Sequence, residues 1–504
     1  MNKCILFAAI LILFSLFESK AKIVFSPIDY GIYETESPIQ RYYCLYKCHY
    51  DALVNDGIVS YKGISKLYIE VPKDFNPIPL SSETDFANVH LIIKNNCKNC
   101  YLFQMIEAVI KTNIKPKSLQ KGYLNEKLPL GIHMLIIEDK KPWVNNRKGY
   151  QYGFFRKDIL LIEDGIVKNN PIQSYSTPES EPECIIVTPS TERKFIGNLN
   201  FERANGSGYM TFLFNIENQY NLEISGIKVR TPYGTSLYGD ALITISNSAL
   251  VNLNNITIDG TYSMENKFGY GLNLNNIYKL SVCALVANAK WGIFGTNNLQ
   301  EVELSDCNIN RFDIHCYGKN VRFKNCTFVN LYNQFSSIYG SIKFYGCRFK
   351  NVVPCLIESS FNAYTPFDIS FYDCIFELDK SRNYIIDLFG LPCAINSRKE
   401  LSNKALPNVE LRNCTLNLSE DAESLIIFNV GTNEYSDKLD YLSKIKIINS
   451  LINKEATLII SNIPIKTKNI LKVSIIRMKI GPNGKKKNYR FYEDGELNSK
   501  LLLN

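Results

Sequence analysis

The stretch VRFKNCTF, residues 321–328, contains the pattern from which the fold of this chain can be predicted. Apolar and polar residues alternate up to Asn325, which is followed at once by Cys326 and a second short apolar run. Alternation with a period of two is typical of a half-buried β-strand, because successive side chains point to opposite faces. Asparagine tolerates the left-handed backbone angles of a sharp bend. The stretch therefore predicts a strand, a bend at Asn325 and an inward-pointing Cys326.

The same pattern recurs along the second half of the chain. Four further copies contain a cysteine after the bend: VELSDCNI at Cys307, IKFYGCRF at Cys347, ISFYDCIF at Cys374 and VELRNCTL at Cys414. Four more stretches align with them: ISGIKV at Ile227, LNNITI at Ile256, LSVCAL at Cys283 and IKIINSLI at Ser450. Successive copies are 19 to 40 residues apart, so the motif is constant while the spacers vary. This combination predicts a solenoid whose turns add short strands, with loops of variable length between them.

The aligned cysteines are predicted to form a ladder of reduced thiols inside the solenoid. Stacked strands lie about 4.8 Å apart, and Cβ atoms at that spacing are slightly too far apart for an unstrained disulfide. The predicted inward thiols are Cys283, Cys307, Cys326, Cys347, Cys374 and Cys414. Outside the ladder, Cys44 lies near Cys48, and Cys97 and Cys100 form CKNC, for which a disulfide, a redox pair and half a metal site remain open. No metal or cofactor is predicted.

These turns and their spacing resemble the right-handed parallel β-helix of the pectin-lyase-like superfamily, over about residues 190–465. Phrases such as RFDIHCYGKNVRFKNCTF, NQFSSIYGSIKF and TDFANVHLIIKNN also resemble uncharacterised exported β-helix proteins of gut Bacteroidetes. The resemblance implies an all-β fold, a right-handed parallel β-helix with a strand-rich N-terminal cap region. It also implies a polysaccharide-handling context. The predicted division is a leader at 1–21, the N-terminal region and first coils at 22–190, the β-helix at 191–465 and a terminal cap or hairpin at 466–504.

The first 21 residues read as a secretory signal peptide. Lys3 precedes an apolar run over residues 5–17, and small residues near Ala21 suit a cleavage site. No later run is apolar and long enough for a transmembrane helix, so the mature protein is predicted to be secreted, periplasmic or at the cell surface. Its formal net charge is +8, and removal of the leader leaves about +7. This mild positive charge is compatible with an anionic polysaccharide, while export argues against nucleic acid.

A candidate reaction centre lies in RFDIHCYG, residues 311–318. Strand alternation places Arg311, Asp313, His315 and Tyr317 on the outward face. A polysaccharide lyase must neutralise a uronate carboxylate, remove the α-proton and protonate the leaving oxygen. Arg311 would neutralise the carboxylate, His315 would be the base oriented by Asp313, and Tyr317 or Tyr339 the acid. The alternative interpretation of this face is a solvated strand with hydrogen bonds between turns.

Other polar residues on the second strand of each turn are candidates for substrate binding. In enzymes of the resembled fold, glycans lie along such a strand face between long loops. The predicted binding residues are Asn273, Asn275, Tyr339, Glu358, Asn362 and Tyr364. A hydrolase would need two carboxylates about 5 to 10 Å apart, for which Asp313 and Glu358 are candidates. Stacked structural asparagines are the competing interpretation of Asn273 and Asn275.

The catalytic motifs of the resembled families are missing. The paired aspartates and Gly-His-Gly of galacturonases are absent, and no acidic cluster matches the calcium site of pectate lyases. The sequence nevertheless predicts an exported enzyme acting on an anionic polysaccharide, a lyase ahead of a hydrolase. A non-catalytic carbohydrate-binding or structural surface β-helix is the alternative. Polysaccharide is the predicted partner, and the oligomeric state is not predicted.

Overall fold

The computed structural model describes most of the chain, with gaps. The described residues are 22–95, 101–112, 114, 121–122, 130–144, 154–172, 175, 182–204, 212–230, 242–259, 263–264, 267–268, 271–287, 293–329, 332–336, 338–358, 367–389, 407–430, 444–461, 472–481, 489–493 and 496–498. The predicted signal peptide lies outside them, as do Cys97, Cys100, Asn362 and Tyr364.

Most strands belong to one stack of parallel coils, which confirms the predicted all-β, right-handed parallel β-helix. The strands of the first coils are Val24–Phe25, Ile58–Ser60, Lys66–Val71, Ile78–Pro79, Glu83–Asn95 and Tyr101–Ile106. The stack resumes in Lys194–Arg203, Phe212–Glu217, Tyr220–Arg230, Ile243–Asn254, Thr257–Asp259, Leu272–Cys283, Val286–Ala287, Phe294–Ser305, Asn308–Ile309, Asp313–Lys324, Thr327–Val329, Tyr332–Phe335, Ile338–Tyr345, Arg348–Lys350 and Val353–Glu358. It continues in Asp368–Tyr372, Ile375–Leu378, Tyr384–Phe389, Asn408–Arg412, Thr415–Leu418, Ser424–Val430, Lys444–Ile448, Leu451–Ile452, Thr457–Ser461, Lys472–Ile476 and Lys479–Ile480.

A single left-handed residue forms the bend before each ladder position. The φ angles are 53° at Asp306, 51° at Asn325 and 56° at Asp373, and Gly346 and Asn413 take the same conformation. Residues with short polar side chains and glycine reach this region at low cost, whereas most side chains do not. The predicted bend chemistry is therefore confirmed.

The thiols after these bends point into the core. Cys307, Cys326, Cys347, Cys374 and Cys414 are at most 1% exposed, and none forms a disulfide. Each Sγ lies within hydrogen-bonding distance of a carbonyl on the preceding strand, as in the 3.3 Å contact from Cys326 to the carbonyl of Lys324. A hydrogen bond with Cys326, together with burial, raises the pKa of the Cys307 thiol. The ladder is thus a stack of buried cysteines without disulfides.

Cys283 does not belong to this ladder, which corrects the prediction. It is half-buried and pairs with Asn254 and Ser305 at the end of a strand. The left-handed residue of this coil is Ala284, with φ 52°, so Leu285 takes the inward position. The bend lies after the cysteine in LSVCAL, whereas in the other cysteine copies it lies immediately before.

Aromatic rings extend the core along the stack. Phe323, Phe344 and Phe371 stack in successive coils with ring centroids 4.7 and 4.9 Å apart. A second column at the next inward position contains Phe328, Phe349 and Phe376. A buried phenylalanine contributes about 1.5–3 kcal/mol relative to an exposed one. These columns give the coils a continuous apolar interior.

A helix, α1 (Pro38–Val54), packs on the first coils at the N-terminal end. Ser37 accepts a hydrogen bond from the backbone of Gln40 as the N-cap, and proline is favourable at the first position. Cys48, His49 and Ala52 are among the side chains it buries against the coils. The helix was not predicted from the sequence. Cys44 and Cys48 lie one turn apart on it as free thiols. Short 3₁₀ helices span Pro27–Tyr30 and Lys380–Arg382.

A five-stranded antiparallel sheet is inserted between the first coils and the rest of the stack. Its strands are Val109–Thr112, Ile132–Val144, Phe154–Glu163, Ile166–Val167 and Pro182–Val187. Apolar residues of one sheet face pack against Ala249 and Tyr278 of the coils. A buried polar network joins the two parts: Gln300 donates to Asp158 Oδ1 at 2.9 Å, and Asn169 donates to Gln300 Oε1 at 3.1 Å. These paired polar groups fix where the sheet docks.

Two antiparallel ribbons complete the architecture. One, Ser263–Met264 with Lys267–Phe268, lies between coils in sequence, and the other is the hairpin of Tyr489–Glu493 with Glu496–Asn498. The hairpin's first strand pairs in parallel with Thr457–Ser461 of the stack. Within the described ranges, no helix has the length and apolar character needed to cross a membrane.

Candidate functional site

One side of the coil stack, here called the first face, contains the sequence-predicted site. The first face consists of strand segments that pair side by side in successive coils. One row of paired outward residues is Gln104, Asn215, Thr244, Asn273 and Gly295. Further along the stack the row is Asp313, Gln334, Leu356, Asp387 and Asn429. The long intervals between strands adjoin the strands of this face. In the first half they precede first-face strands, as between Arg230 and Ile243. In the second half they follow them, as between Phe389 and Asn408.

The first face is recessed. Asn215, Gln334 and Leu356 are buried, and Asn273 and Asp387 are half-buried. A fully exposed strand face would leave such outward side chains in solvent. These outward side chains are therefore largely covered by neighbouring residues and do not form an open, flat sheet surface.

A β-bulge interrupts the regular alternation at His315. Thr296 pairs with Ile314, but Asn297 pairs with Cys316, so His315 is the extra residue. The backbone of Cys316 is therefore in register with Asn297. Bulges redirect side chains and are common beside active sites.

The bulge brings His315 close to Asp313. Nε2 of His315 lies 3.9 Å from Oδ2 of Asp313, a separation longer than a direct hydrogen bond. His315 is 15% exposed and Asp313 is fully buried. The imidazole is thus the accessible member of the pair.

Arg311 holds Asp313 from the other side. Its Nε donates to Oδ1 of Asp313, and its Nη2 donates to Oε1 of Gln334 at 2.7 Å. The guanidinium lies 4.2 Å from the ring centroid of Tyr332, within cation–π distance. Arg311 is 2% exposed. This burial corrects the expectation that Arg311 and Asp313 face solvent, because the guanidinium turns towards the carboxylate and the neighbouring coil.

Tyr317 occupies a bend and not the strand face. Its φ of 61° is left-handed, and it stands at the position that Asn276 and Asn298 occupy in the two preceding coils. Its side chain is fully buried. A bulky residue in this region is an uncommon, strained conformation. The bend therefore removes Tyr317 from the open face on which it was predicted.

Tyr339 lies beyond this bend. It is half-buried and pairs with Lys319, which follows Tyr317 along the chain. The structure therefore does not place Tyr339 on the first face with Asp313.

Asn273 and Asn275 lie on the first face and join a hydrogen-bonded amide ladder. Asn275 donates to Asn273 Oδ1 at 2.8 Å, and Asn297 of the next coil donates to Asn275 Oδ1 at 2.8 Å. All three side chains are half-buried. Asn297 continues the ladder to the coil boundary beside His315. It was missed from the sequence, although GTNN in residues 295–298 repeats the spacing of LNLNN in residues 272–276.

The acidic candidates lie further along the same face. Glu358 pairs with Phe389, two positions beyond the pairing of Leu356 with Asp387. Two coils beyond Asp313, the residue in direct register with it is therefore Leu356. Glu358 lies two positions further along that strand. Burial raises the pKa of Asp387, while the hydrogen bond from Asn429 lowers it. Burial is the larger effect, so the pKa is raised and the carboxyl group of Asp387 keeps its proton to a higher pH than an ordinary aspartate.

No group of three or more histidine, cysteine, aspartate or glutamate side chains in the described ranges is arranged to hold a metal ion. The chemistry available on the first face is that of imidazole, carboxylate and amide groups.

No protein-family model matches this sequence, and no curated protein sequence matches it significantly. Among solved structures, the tailspike protein gp49 from Pseudomonas phage LKA1 aligns with a TM-score of 0.53 and 11% identity, over 92% of this chain and 84% of that one. The tailspike gp61 of Pseudomonas phage phi297 aligns with a TM-score of 0.45 and 10% identity, over 89% and 81%. The Gp54 tailspike of Acinetobacter baumannii bacteriophage AP22, solved with a capsular saccharide, aligns with a TM-score of 0.38 and 10% identity, over 93% and 79%. The first of these likenesses concerns the fold alone, and this chain is a parallel β-helix similar in architecture to gp49.

Proposed function

We propose that this protein is an exported polysaccharide-acting enzyme whose reaction centre is His315, and that it cleaves an anionic glycan by β-elimination. The observation that supports this most directly is the recessed imidazole at a bulge, 3.9 Å from a buried aspartate that an arginine fixes. An imidazole held in this way is suited to proton abstraction, because a neighbouring carboxylate orients the ring and its tautomer.

The roles of the neighbouring residues follow from their burial. His315 is the base that takes the α-proton, and once protonated it returns that proton to the leaving glycosidic oxygen as the C–O bond breaks. Asp313 is a positioning residue that acts through His315. Arg311 anchors Asp313, because its Nε and Nη2 already donate to Asp313 and Gln334. A buried guanidinium is poorly placed to meet a uronate carboxylate. The amides of Asn275 and Asn297 lie on the same face and supply donors for the charge that develops on that group.

Hydrolysis is the second candidate, and the raised pKa of Asp387 favours it. Glu358 is one coil from Asp387 and two positions along the strand. This offset corresponds to about 8 Å between Cα positions, from strand spacing and rise. A carboxyl that retains its proton is suited to act as the general acid, with the second carboxylate as the base or nucleophile.

The experiment that tests the proposal is a screen of purified protein against acidic and neutral glycans with two readouts. Unsaturated products absorb in the ultraviolet and report elimination, whereas new reducing ends without absorbance report hydrolysis. His90→Ala is a matched control, because His90 is a half-exposed histidine on another side of the stack that pairs with Glu202. Elimination that His315→Ala abolishes and His90→Ala retains supports the proposal. Absorbance-free cleavage would favour the Glu358–Asp387 pair, and binding without cleavage would favour a carbohydrate-binding protein.

A further inference from the structure

A cavity of about 430 Å³ lies at the N-terminal end of the first face. Helix α1 contributes Leu53, and the first coil contributes Gln104 and Ile106. Gln104 and Ile106 are in register, through Asn215 and Glu217, with the outward columns of the first face. The cavity therefore lies at one end of the first face, far from His315. Five strand steps of about 4.8 Å separate Ile106 from Cys316, which is about 24 Å.

A buried ammonium group lines this cavity. Lys194 is 3% exposed, and its Nζ donates to the carbonyls of Ser190 at 3.0 Å and Tyr220 at 3.3 Å. An ammonium has three hydrogens to donate. Its nearest carboxylate is Oε1 of Glu107 at 3.9 Å, beyond hydrogen-bonding distance. Within the described part of the chain, one donor of Lys194 remains available to a ligand hydroxyl.

The remaining lining combines polar acceptors with an apolar wall. Gln219 is fully buried, and its Oε1 has no hydrogen-bond partner among the described residues. Glu107 adds a carboxylate that is one-third exposed. On the other side, Leu53 and Ile106 are each 48% exposed. Hydrogen-bonding groups combined with exposed apolar side chains match the polar hydroxyl edge and the apolar C–H face of a pyranose ring.

The charge balance argues against an acidic ligand. Asp56, Glu107 and Glu192 line the cavity with Lys194. Lys22 pairs with Glu192 at 2.6 Å and with Asp56 at 3.5 Å. Two cations thus face three carboxylates, and an additional carboxylate would meet like charge.

We propose that this cavity is a saccharide-binding site for a neutral glycan segment of one or two rings, separate from the proposed reaction centre. Ligand hydroxyls donate to Glu107 and accept from Lys194, and a ring face packs on Leu53 and Ile106. A long glycan that reaches both this cavity and His315 would be held at two points, which raises its effective concentration at the first face. The site therefore favours glycan chains in which neutral sugar residues lie near the acidic segment that is cleaved.

The test uses the full chain and a fixed panel of probes: maltose, cellobiose, lactose and N,N′-diacetylchitobiose, with digalacturonate as the acidic comparator. Binding is measured by titration calorimetry and by ligand-observed NMR at millimolar concentrations. Leu53→Trp fills the cavity from an exposed helix position. Val54→Trp is the matched control, because Val54 is its neighbour on the same helix, is 58% exposed and does not line the cavity.

At least one neutral disaccharide should bind more tightly than digalacturonate. Leu53→Trp should raise its Kd by at least about tenfold, while Val54→Trp should leave it within about twofold. His315→Ala should bind the disaccharide as the wild type does, so a failed elimination assay leaves this result independent. If no neutral member of the panel binds the wild type, or if Leu53→Trp binds unchanged, the proposed site is wrong.

Discussion

Oδ2 of Asp313 lies 3.9 Å from Nε2 of His315, although the two residues are only two positions apart on one strand. A regular strand would keep their Cα atoms about 6.6 Å apart with parallel side chains. The bulge between Ile314 and Cys316 makes the approach possible, because it frees His315 from the ladder. A local irregularity of the backbone thus creates the one close imidazole–carboxylate contact described on this face.

Replacing His315 by alanine should abolish turnover without unfolding the protein. The side chain is 15% exposed and lies outside the apolar core, so the free energy of unfolding should fall by no more than about 1 kcal/mol. Loss of a general base should lower kcat by roughly 100-fold or more. Glycan cleavage and urea unfolding measured on the same preparation check both parts. Full turnover in the variant would remove His315 from the mechanism, and an unfolded variant would show that its role is structural.

Replacing Asp313 by leucine should destabilise the fold much more than removing both charges together. The single variant leaves the buried guanidinium of Arg311 without its carboxylate, which typically costs about 3–5 kcal/mol. The double variant Arg311→Met with Asp313→Leu should recover most of this loss, because no uncompensated charge remains. Equilibrium urea unfolding of wild type, both single variants and the double variant measures the coupling. Additive effects would mean that the pair is not coupled as described.

The five ladder cysteines should react with a thiol reagent only after denaturation. Cys283 is half-buried at a strand end and should react earlier in the native protein. Cys283→Ser should therefore remove a fast-reacting thiol, whereas Cys326→Ala should reduce only the number released by denaturant. The comparison is made by spectrophotometric thiol counting before and after guanidinium. Intramolecular disulfides among the ladder residues would contradict the stack of free thiols.

His49 should make the protein less stable in acid. Burial lowers its pKa from 6.5 to about 3, so the native ring stays neutral while the unfolded chain binds a proton below pH 6.5. The stability from the neutral ring is fully present above pH 6.5 and falls as the pH falls towards 3. The loss is on the order of 5 kcal/mol. The free energy of unfolding measured at several pH values in this window should fall less steeply for His49→Gln.

Tyr61→Phe is the control for this interpretation. It removes the hydroxyl 2.9 Å from Nε2 of His49 but keeps the aromatic packing around the ring. Because burial is the dominant cause of the lowered pKa, the pH slope of Tyr61→Phe should match that of the wild type. A slope that flattens in Tyr61→Phe as much as in His49→Gln would assign the effect to the hydrogen bond.

The coil architecture could be predicted because its signal is local. Each bend needs one residue in the left-handed region of backbone angles. Asp306, Asn325 and Asp373 fill this position, and each can be recognised in the sequence because a cysteine follows it. The prediction that Cys283 points inward is wrong because the bend of that coil lies at Ala284, after the cysteine. Aligning this copy on its cysteine alone therefore assigned it the wrong register. Helix α1 was missed because its polar and aromatic residues gave no strong helical period beside so many strands.

The site could be predicted only in part. Strand alternation located Asp313 and His315 on one side, but it could not reveal the bulge that brings them together. Nor could it show that Tyr317 replaces an asparagine in the bend column, because that depends on register with the coil before it. The burial of Arg311 depends on Gln334 and Tyr332 of the next coil, which are more than twenty residues away in sequence.

The placement of the variable connections has a consequence for how such a chain can change over evolutionary time. The bends before the ladder positions keep a fixed length, whereas the segments that adjoin the strands of the first face differ widely in length from coil to coil. Loop extension costs little, since closure entropy grows only slowly with length. Insertions and deletions can therefore accumulate around the first face while the stack beneath stays in register. Descendants of this sequence can change the surroundings of the first face without first having to rebuild their core.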